Sequence, residues 1–188
     1  MSVWPVIQAD FRLQTPRLRL RCPRDEDAPQ IAVLAGDKDV AEMTATIPHP
    51  YPEAVATAFV AKARESAFLG RDLTLMITIG DDDETVVGLV SAKPAPFDCT
   101  SIAYWIGRRY WGRGMATEAV KVLLASIFSR TTTRIVITNV RVTNPASARV
   151  LEKCGFIRIG RTEQRFPARG QTLPVEQFQI ERGWRTAP

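Results

Sequence analysis

Gly112 and Gly114 are the residues whose spacing first suggests chemistry. They close a basic turn, GRRYWGRG at 107–114, between an apolar, aromatic stretch at Ile102–Ile106 and an alanine-rich helical pattern opening at Met115. Strand, glycine turn and helix start in that order let backbone N–H groups converge on an anion. Glycine removes the Cβ that would hold a phosphate away, and the helix N-terminus carries the positive end of its dipole. Arg108, Arg109 and Arg113 surround the turn, and Thr117 adds a hydroxyl in the first helical turn. A P-loop would need Lys and Ser or Thr directly after the last glycine, but Met115-Ala116 follows. A dinucleotide fingerprint would need Gly or Ala at position 117 and an acid about 20 residues on. Thr117 stands there, and the next strand ends in Thr138-Asn139, so that fit is poor.

Other reactive residue types have less support. Cys22, Cys99 and Cys154 form no CxxC pair, and with a single histidine, His49, there is no metal-ligand cluster. The cysteines read as small apolar residues of a reduced compartment. Asp81-Asp82-Asp83 lacks the spacing and closing Glu of a calcium loop and reads as a solvated turn. The chain of 188 residues, 45% hydrophobic and 24% charged, is the size and composition of one globular domain with a real core. No window approaches the run of about 18 apolar residues that spans a bilayer, and the N-terminus lacks a basic start, so a cytoplasmic protein is expected. The net charge of +5 suits an anionic ligand, but the arginines are dispersed, with no basic run.

The elements that must position the turn follow from periodicity. Residues 1–14 read as an arm. Arg17 to Arg21 alternates strictly, a half-buried strand with its arginines on one face. Asp25 is placed to cap a helix with Ile31, Val33 and Leu34 on its apolar side, broken at Gly36-Asp37. A short helical piece follows at Val40 to Met43. Three prolines between Ile47 and Pro52 make a stiff loop, and Pro52-Glu53 opens a helix with Val55, Phe59, Val60 and Ala63 as its stripe. Asp72 to Ile79 and Thr85 to Lys93 read as a hairpin. Beyond the turn, Ala116 to Ile127 repeats at helical spacing. Arg134 to Val140 is a β-branched strand. Asn144-Pro145 starts a helix that stops at Gly155, and Phe156 to Arg165 and Leu173 to Glu181 are the last strands. This order predicts a mixed α/β sheet with helices on its faces, one domain over 1–188.

Arg109-x-x-Gly112-x-Gly114-x-Ala116 resembles the acetyl-CoA pyrophosphate motif of the GNAT N-acetyltransferases, Gln/Arg-x-x-Gly-x-Gly/Ala. The longer run from Tyr104 to Ala119 is similar to the Rim type, the ribosomal-protein N-terminal acetyltransferases. So are Thr15-Pro16-Arg17-Leu18-Arg19-Leu20-Arg21, the stretch Asn144 to Phe156, and Arg169-Gly170 with Trp184. The resemblance covers residues 13–185. It implies an α+β fold with a mixed, mostly antiparallel sheet of about six to seven strands, helices on both faces, and a splay at the cofactor site. It implies acetyl-CoA as cosubstrate, with the backbone of Trp111, Gly112, Arg113, Gly114, Met115, Ala116 and Thr117 on the pyrophosphate beside Arg109. The pantetheine arm would run along Tyr104, Trp105 and Ile106, with an amide near Ile106 facing the thioester oxygen. Asn144, besides capping its helix, would contact the cofactor arm, and Ser147 would hydrogen-bond the leaving thiolate. These two are the catalytic candidates.

The tyrosine acid of many such enzymes is Leu151 here, and the acid often found before the strand's Ile is Ser101. No general base follows; Asp98 and Glu42 are the carboxylates considered. An α-amine with a pKa of about 8 needs less help than a lysine near about 10.4. Tyr51 is the expected wall of the acceptor pocket, and the lone His49 is expected to be inessential. Trp105, Trp111 and Phe156 are expected in core or cofactor packing. The expected function is acetyl transfer to a protein N-terminus or small-molecule amine, by a monomer or homodimer without metal, nucleic acid or membrane. The alternatives are an acetyl-CoA-binding sensor and, from charge alone, a nucleic-acid-binding domain.

Overall fold

The computed structural model describes residues 7–80 and 84–183. The first six residues of the expected arm, the acidic turn at 81–83 and Trp184 lie outside the described residues.

An eight-stranded sheet organises the chain. Its strands are β1 (Arg12–Gln14), β2 (Arg19–Arg21), β3 (Leu73–Ile79), β4 (Thr85–Ala95), β5 (Cys99–Ile106), β6 (Ile135–Arg141), β7 (Ile157–Phe166) and β8 (Gln171–Glu181). The spatial order is β1-β2-β3-β4-β5-β6-β8-β7. Every pairing is antiparallel except β5 with β6. The helices are α1 (Ala28–Ala35), α2 (Lys38–Glu42), α3 (Glu53–Phe68), α4 (Met115–Arg130) and α5 (Pro145–Lys153). On one face Ile31, Leu34 and Val60 of α1 and α3 pack with Met76, Leu89 and Trp105. On the other, Val120, Leu123 and Ile127 of α4 and Leu151 of α5 pack with Leu75, Ile77, Val90 and Ile102.

Several expectations change. Residues 12–14 are a strand, not arm, because Leu13 pairs with Leu20 once Thr15 turns the chain by accepting from Leu18 N through Oγ1 at 2.9 Å. That raises the strand count to eight, and the second strand starts at Arg19 rather than Arg17. The alternating arginines do not share a solvated face. Arg21 is buried like Leu18 and Leu20, since helices cover both sides of the sheet. Its guanidinium meets Asp27 in two 2.7 Å hydrogen bonds, Nη1 to Oδ2 and Nη2 to Oδ1. Asp27 rather than Asp25 therefore fixes the start of α1, accepting also from Arg24 N at 2.7 Å. Val33 is exposed, so the buried side of α1 is Ile31 and Leu34 with the alanines.

A buried pair is costly to break because the survivor is a desolvated charge, while replacing both partners by apolar groups is nearly neutral. Asp27→Ala is expected to lower unfolding free energy by about 3–5 kcal/mol in urea titrations, with the double change Arg21→Met/Asp27→Leu recovering most of it. A single-variant loss below about 1 kcal/mol would mean that water reaches the pair.

Candidate active site

The site begins where the sheet comes apart. β5 and β6 pair only at Cys99, Thr100 and Ser101 against Ile135, Val136 and Ile137. Beyond that point β6 follows β8 to Arg141 while β5 follows β4 to Ile106, and a gap opens between them. Thr138 Oγ1 donates to Ile102 O at 2.9 Å and closes its apex. Along an extended strand, alternate residues turn both backbone groups to the same side. Gly107 N donates to Val87 O on the β4 side. Ile102, Tyr104 and Ile106 therefore face the gap. Ile106 O is taken by Trp111 Nε1 at 2.6 Å; the Tyr104 and Ile106 N–H groups point into the opening.

The glycine turn lies at the mouth of this gap. Gly112 and Gly114 both have φ of +76°, and a Cβ at Gly112 would meet nothing within 4 Å. Gly114 is the N-cap of α4 and offers no side-chain cap, so the first N–H groups of a four-turn helix stay bare. The turn is braced from outside. Glu118 accepts from Arg17 Nε at 2.8 Å and Nη2 at 2.5 Å, and from the Thr15 hydroxyl. Arg17 Nη1 also donates to Arg113 O at 3.2 Å. Burial pushes the Glu118 carboxyl up, but the hydrogen bonds from Thr15 and Arg17 outweigh it and hold it below the usual range. Sequence reading gave the Thr15–Arg21 stretch no role at the turn; its pairing with Glu118 lies about a hundred residues away.

Across the gap, Asn144 Oδ1 accepts from Ser147 N at 3.1 Å and caps α5, as its sequence position predicts. Ser147 Oγ lies 2.8 Å from Tyr104 Oη, which also donates to Ser147 O at 3.1 Å. The Tyr104 side chain, which the sequence singled out only for its backbone, thus ties the first turn of α5 to β5. Burial raises its pKa, so the phenol keeps its proton. Cys154 is a buried thiol donating to Thr117 O, its pKa pushed up to about 11 by burial.

The gap opens into a cavity of about 1210 Å³. Tyr104, Trp105, Ile106, Trp111, Gly112, Arg113, Gly114, Met115, Ala116, Thr117, Asn144, Ser147 and Tyr51 all line it. Arg109 does not. It stands over the Tyr110 ring, 4.9 Å from the centroid, on a 3-10 turn whose outer face is exposed. Neither Glu42 nor Asp98 lines it either; Glu42 faces Lys38 and Asp98 sits in the far β4–β5 turn. His49 binds Gly36 O at 2.8 Å outside it, and Phe156 is core. The far end is walled by Val40, Met43, Ile47, Tyr51, Phe59 and Leu89. That wall is tied to the opposite half of the sheet: Arg141 donates to Glu42 O, Ala168 N to Ala45 O at 3.2 Å, and Arg169 Nη2 to Ile47 O at 2.9 Å. Among the described residues, no aspartate, glutamate or histidine lines the cavity; its charged residues are Lys62, Arg113, Arg141, Arg149 and Lys153.

The family model "Acetyltransferase (GNAT) domain" matches residues 17–157. The N-acetyltransferase p20 of Bacillus licheniformis is 26% identical over 177 residues, 89% of this chain and 94% of p20. The ribosomal-protein-S5-alanine acetyltransferase of Vibrio fischeri superposes with a TM-score of 0.79 at 17% identity, covering 95% of this chain and 100% of its own. RimJ of Mycobacterium smegmatis, solved with CoA-disulfide, superposes with a TM-score of 0.78 at 20% identity, covering 97% and 88%. At these identities the structures speak for the fold.

The lowered pKa of Glu118 makes its contribution to stability pH-dependent. A carboxyl with a folded pKa below its unfolded value stabilises the protein above that unfolded value, about 4.5, and loses this as pH falls through the folded one. Glu118→Gln is expected to lower the urea midpoint at pH 7 and to converge on the unmodified protein once the pH falls below the carboxyl's own folded pKa. An equal deficit at both pH values would show that the ionised carboxylate adds nothing.

Proposed function

The chain belongs to the GNAT acetyltransferase family, whose cosubstrate is acetyl-CoA, and on that premise we propose that it acetylates a primary amine by direct attack within a ternary complex. The observation that carries this reading is the split of β5 from β6 onto the bare N-terminus of α4. The turn at 112–117 holds the pyrophosphate through its backbone N–H groups, with Arg113 beside them and the two glycines presenting no Cβ, while Trp111 N–H is taken by Arg108 O at 3.1 Å. The Tyr104 backbone takes the place of a missing strand partner for the pantetheine arm, with Trp105 and Ile106 beside it. Asn144 sets the first turn of α5 against that arm, a fit supported by its cap on Ser147.

Acetyl-CoA supplies the activated acetyl group. Ile106 N–H is placed to bind the thioester oxygen, where negative charge grows as the amine attacks. Ser147 Oγ is the donor for the thiolate released as the C–S bond breaks, and Tyr104, kept protonated by burial, backs it. The amine's surplus proton passes to water, since no carboxylate or histidine lines the cavity among the described residues. Tyr51 forms part of the acceptor wall. A protein N-terminal α-amine or a small-molecule amine of similar pKa fits a site without a base, and the name of the Vibrio fischeri neighbour, which specifies an alanine, supports the former. The missing base also favours a second reading, a domain that binds acetyl-CoA without turning it over. Release of CoA thiol with a panel of N-terminal peptides and small amines decides between the two: turnover with none of them leaves the sensor.

Two outcomes test the site. Acetyl-CoA at a hundred times its Kd is expected to add about 2.7 kcal/mol of stability in thermal unfolding. Gly114→Asp should remove that shift by setting a carboxylate against the pyrophosphate; a Cβ there meets only Arg17 Nη2 at 3.6 Å, but the φ of +76° adds backbone strain, so the variant's folding is checked by circular dichroism before its affinity is read. A folded variant with unchanged affinity would move the cofactor elsewhere. With no enzyme base, kcat/KM should rise with pH to an inflection set by the acceptor, near about 8 for an α-amine and near about 10 for a lysine-type amine. An inflection that stays put when the acceptor changes would reveal a base in the protein.

A further inference from the structure

Five basic side chains line the cavity. In the proposed reading, three of them have an anion to meet. Arg113 adjoins the α4 turn, and Arg149 and Lys153 lie on α5, the elements that flank the cofactor's phosphates. Arg141 and Lys62 are elsewhere. Arg141 ends β6 at the far side of the gap and reaches the C-terminal end of α2, where Nη1 donates to Glu42 O. Its guanidinium stands 5.8 Å from the centroid of the buried Phe166 ring, which also lines the cavity. No carboxylate pairs with Arg141 or Lys62 among the described residues. Of the lining at this end, Val40, Met43, Ile47 and Phe166 are apolar, and Thr44, Thr46 and Gln164 are polar but uncharged. A half-buried cation in such a wall, with one carbonyl and one ring as partners, retains donors and charge for an anion.

We propose that the acceptor is an amine on an apolar body that also carries an anionic group, a carboxylate in the first instance, bound by the Arg141 guanidinium. This rests on the acetyl-transfer reading and narrows it. The pocket's charge also works against the opposite class. A polyamine or an aminoglycoside would bring several cations to a cavity that offers no carboxylate to receive them, which costs both repulsion and unpaired desolvation. An amino acid, or a short peptide with an acidic residue or free C-terminus near its amine, presents the required pair. The planar fork of Arg141 suits a carboxylate better than a point charge would, while Lys62 on α3 adds positive potential without that geometry.

The experiment uses pairs of ligands in which a carboxylate is replaced by its amide, with acceptor rates compared per free amine because losing the carboxylate also lowers the α-amine pKa. Phenylalanine and phenylalaninamide are compared as acceptors by thiol release, with spermidine as the polycation. N-acetylphenylalanine and its amide are compared by calorimetry on the full chain saturated with CoA, which requires no turnover. The acid is expected to outperform the amide at least tenfold in kcat/KM, through KM, and to bind at least tenfold tighter as product. Arg141→Gln, which removes the charge and keeps a neutral amide on a shorter side chain, should bring both ratios to within about threefold, and Arg141→Lys should keep part of them. Equal ratios in the unmodified protein overturn the proposal, as do spermidine as the best acceptor, no detectable binding of the acid, or ratios that survive in Arg141→Gln. If the acid product binds with its preference and that preference disappears in Arg141→Gln, yet no amine is acetylated, the anionic site stands and the transfer reading falls.

Discussion

A sheet that stops pairing in its middle is the constraint on which the rest depends. Backbone N–H and C=O groups buried without partners are expensive, so sheets ordinarily keep their ladders complete except at an edge. Here β5 and β6 are interior strands, and they separate after Ser101 and Ile137. The structure satisfies what it can from within. Thr138 supplies a hydroxyl to Ile102 O, Trp111 turns its indole back onto Ile106 O, and Tyr104 bridges to α5. What it leaves open are N–H groups facing a cavity. In the proposed reading, an extended chain with amide groups of its own, the pantetheine arm of the family's cosubstrate, completes this edge in the way a bound peptide extends a sheet.

The braces around the gap explain which long-range contacts recur in the structure. Arg17 and Thr15, from the connection between the first two strands, hold Glu118 and through Arg113 O the turn itself. Arg141, Ala168 and Arg169 hold the loop after α2 against the other half of the sheet. The second set spans the split from outside, where β5 and β6 no longer hold each other, and the first ties α4 and its turn to the β1–β2 end of one half. The Arg21–Asp27 pair plays a comparable part further back, locking the start of α1 to β2 and so fixing the helix that covers Trp105.

Local chemistry was readable and non-local pairing was not. The N-cap at Asn144, the C-terminal stop at Gly155 and the apolar stripe of α4 depend on neighbours three or four residues away, and the structure has them where the sequence puts them. The glycine turn was legible for the same reason. Strand β1 was not, since three mixed residues become a strand only when Leu13 finds Leu20. The burial of Arg21 was hidden because alternation says which residues share a face and nothing about whether that face is covered. Tyr104 was chosen for its main chain, while its hydroxyl meets a residue 43 positions away. Arg109 followed from the motif's spacing, yet the 3-10 turn at Arg108–Tyr110 carries it outward.

Ser101 stands where the resemblance implies an acid, and among the described residues no carboxylate lines the cavity; the two have one electrostatic consequence. A base is needed because an ammonium ion has no lone pair with which to attack. Positive charge nearby lowers an amine's pKa, since like charges disfavour the protonated form, and an apolar wall acts in the same direction by withholding solvent. Lys62 and Arg141 beside Met43, Ile47 and Phe59 supply both conditions at the acceptor end. In the proposed reaction the lining then attracts an anionic group on the acceptor while discouraging protonation of its amine. A carboxylate placed there as a base would be drawn into pairing with these same cations. Its pKa would fall and its strength as a base with it. An all-basic lining and the lack of a general base are therefore two expressions of one arrangement of charge.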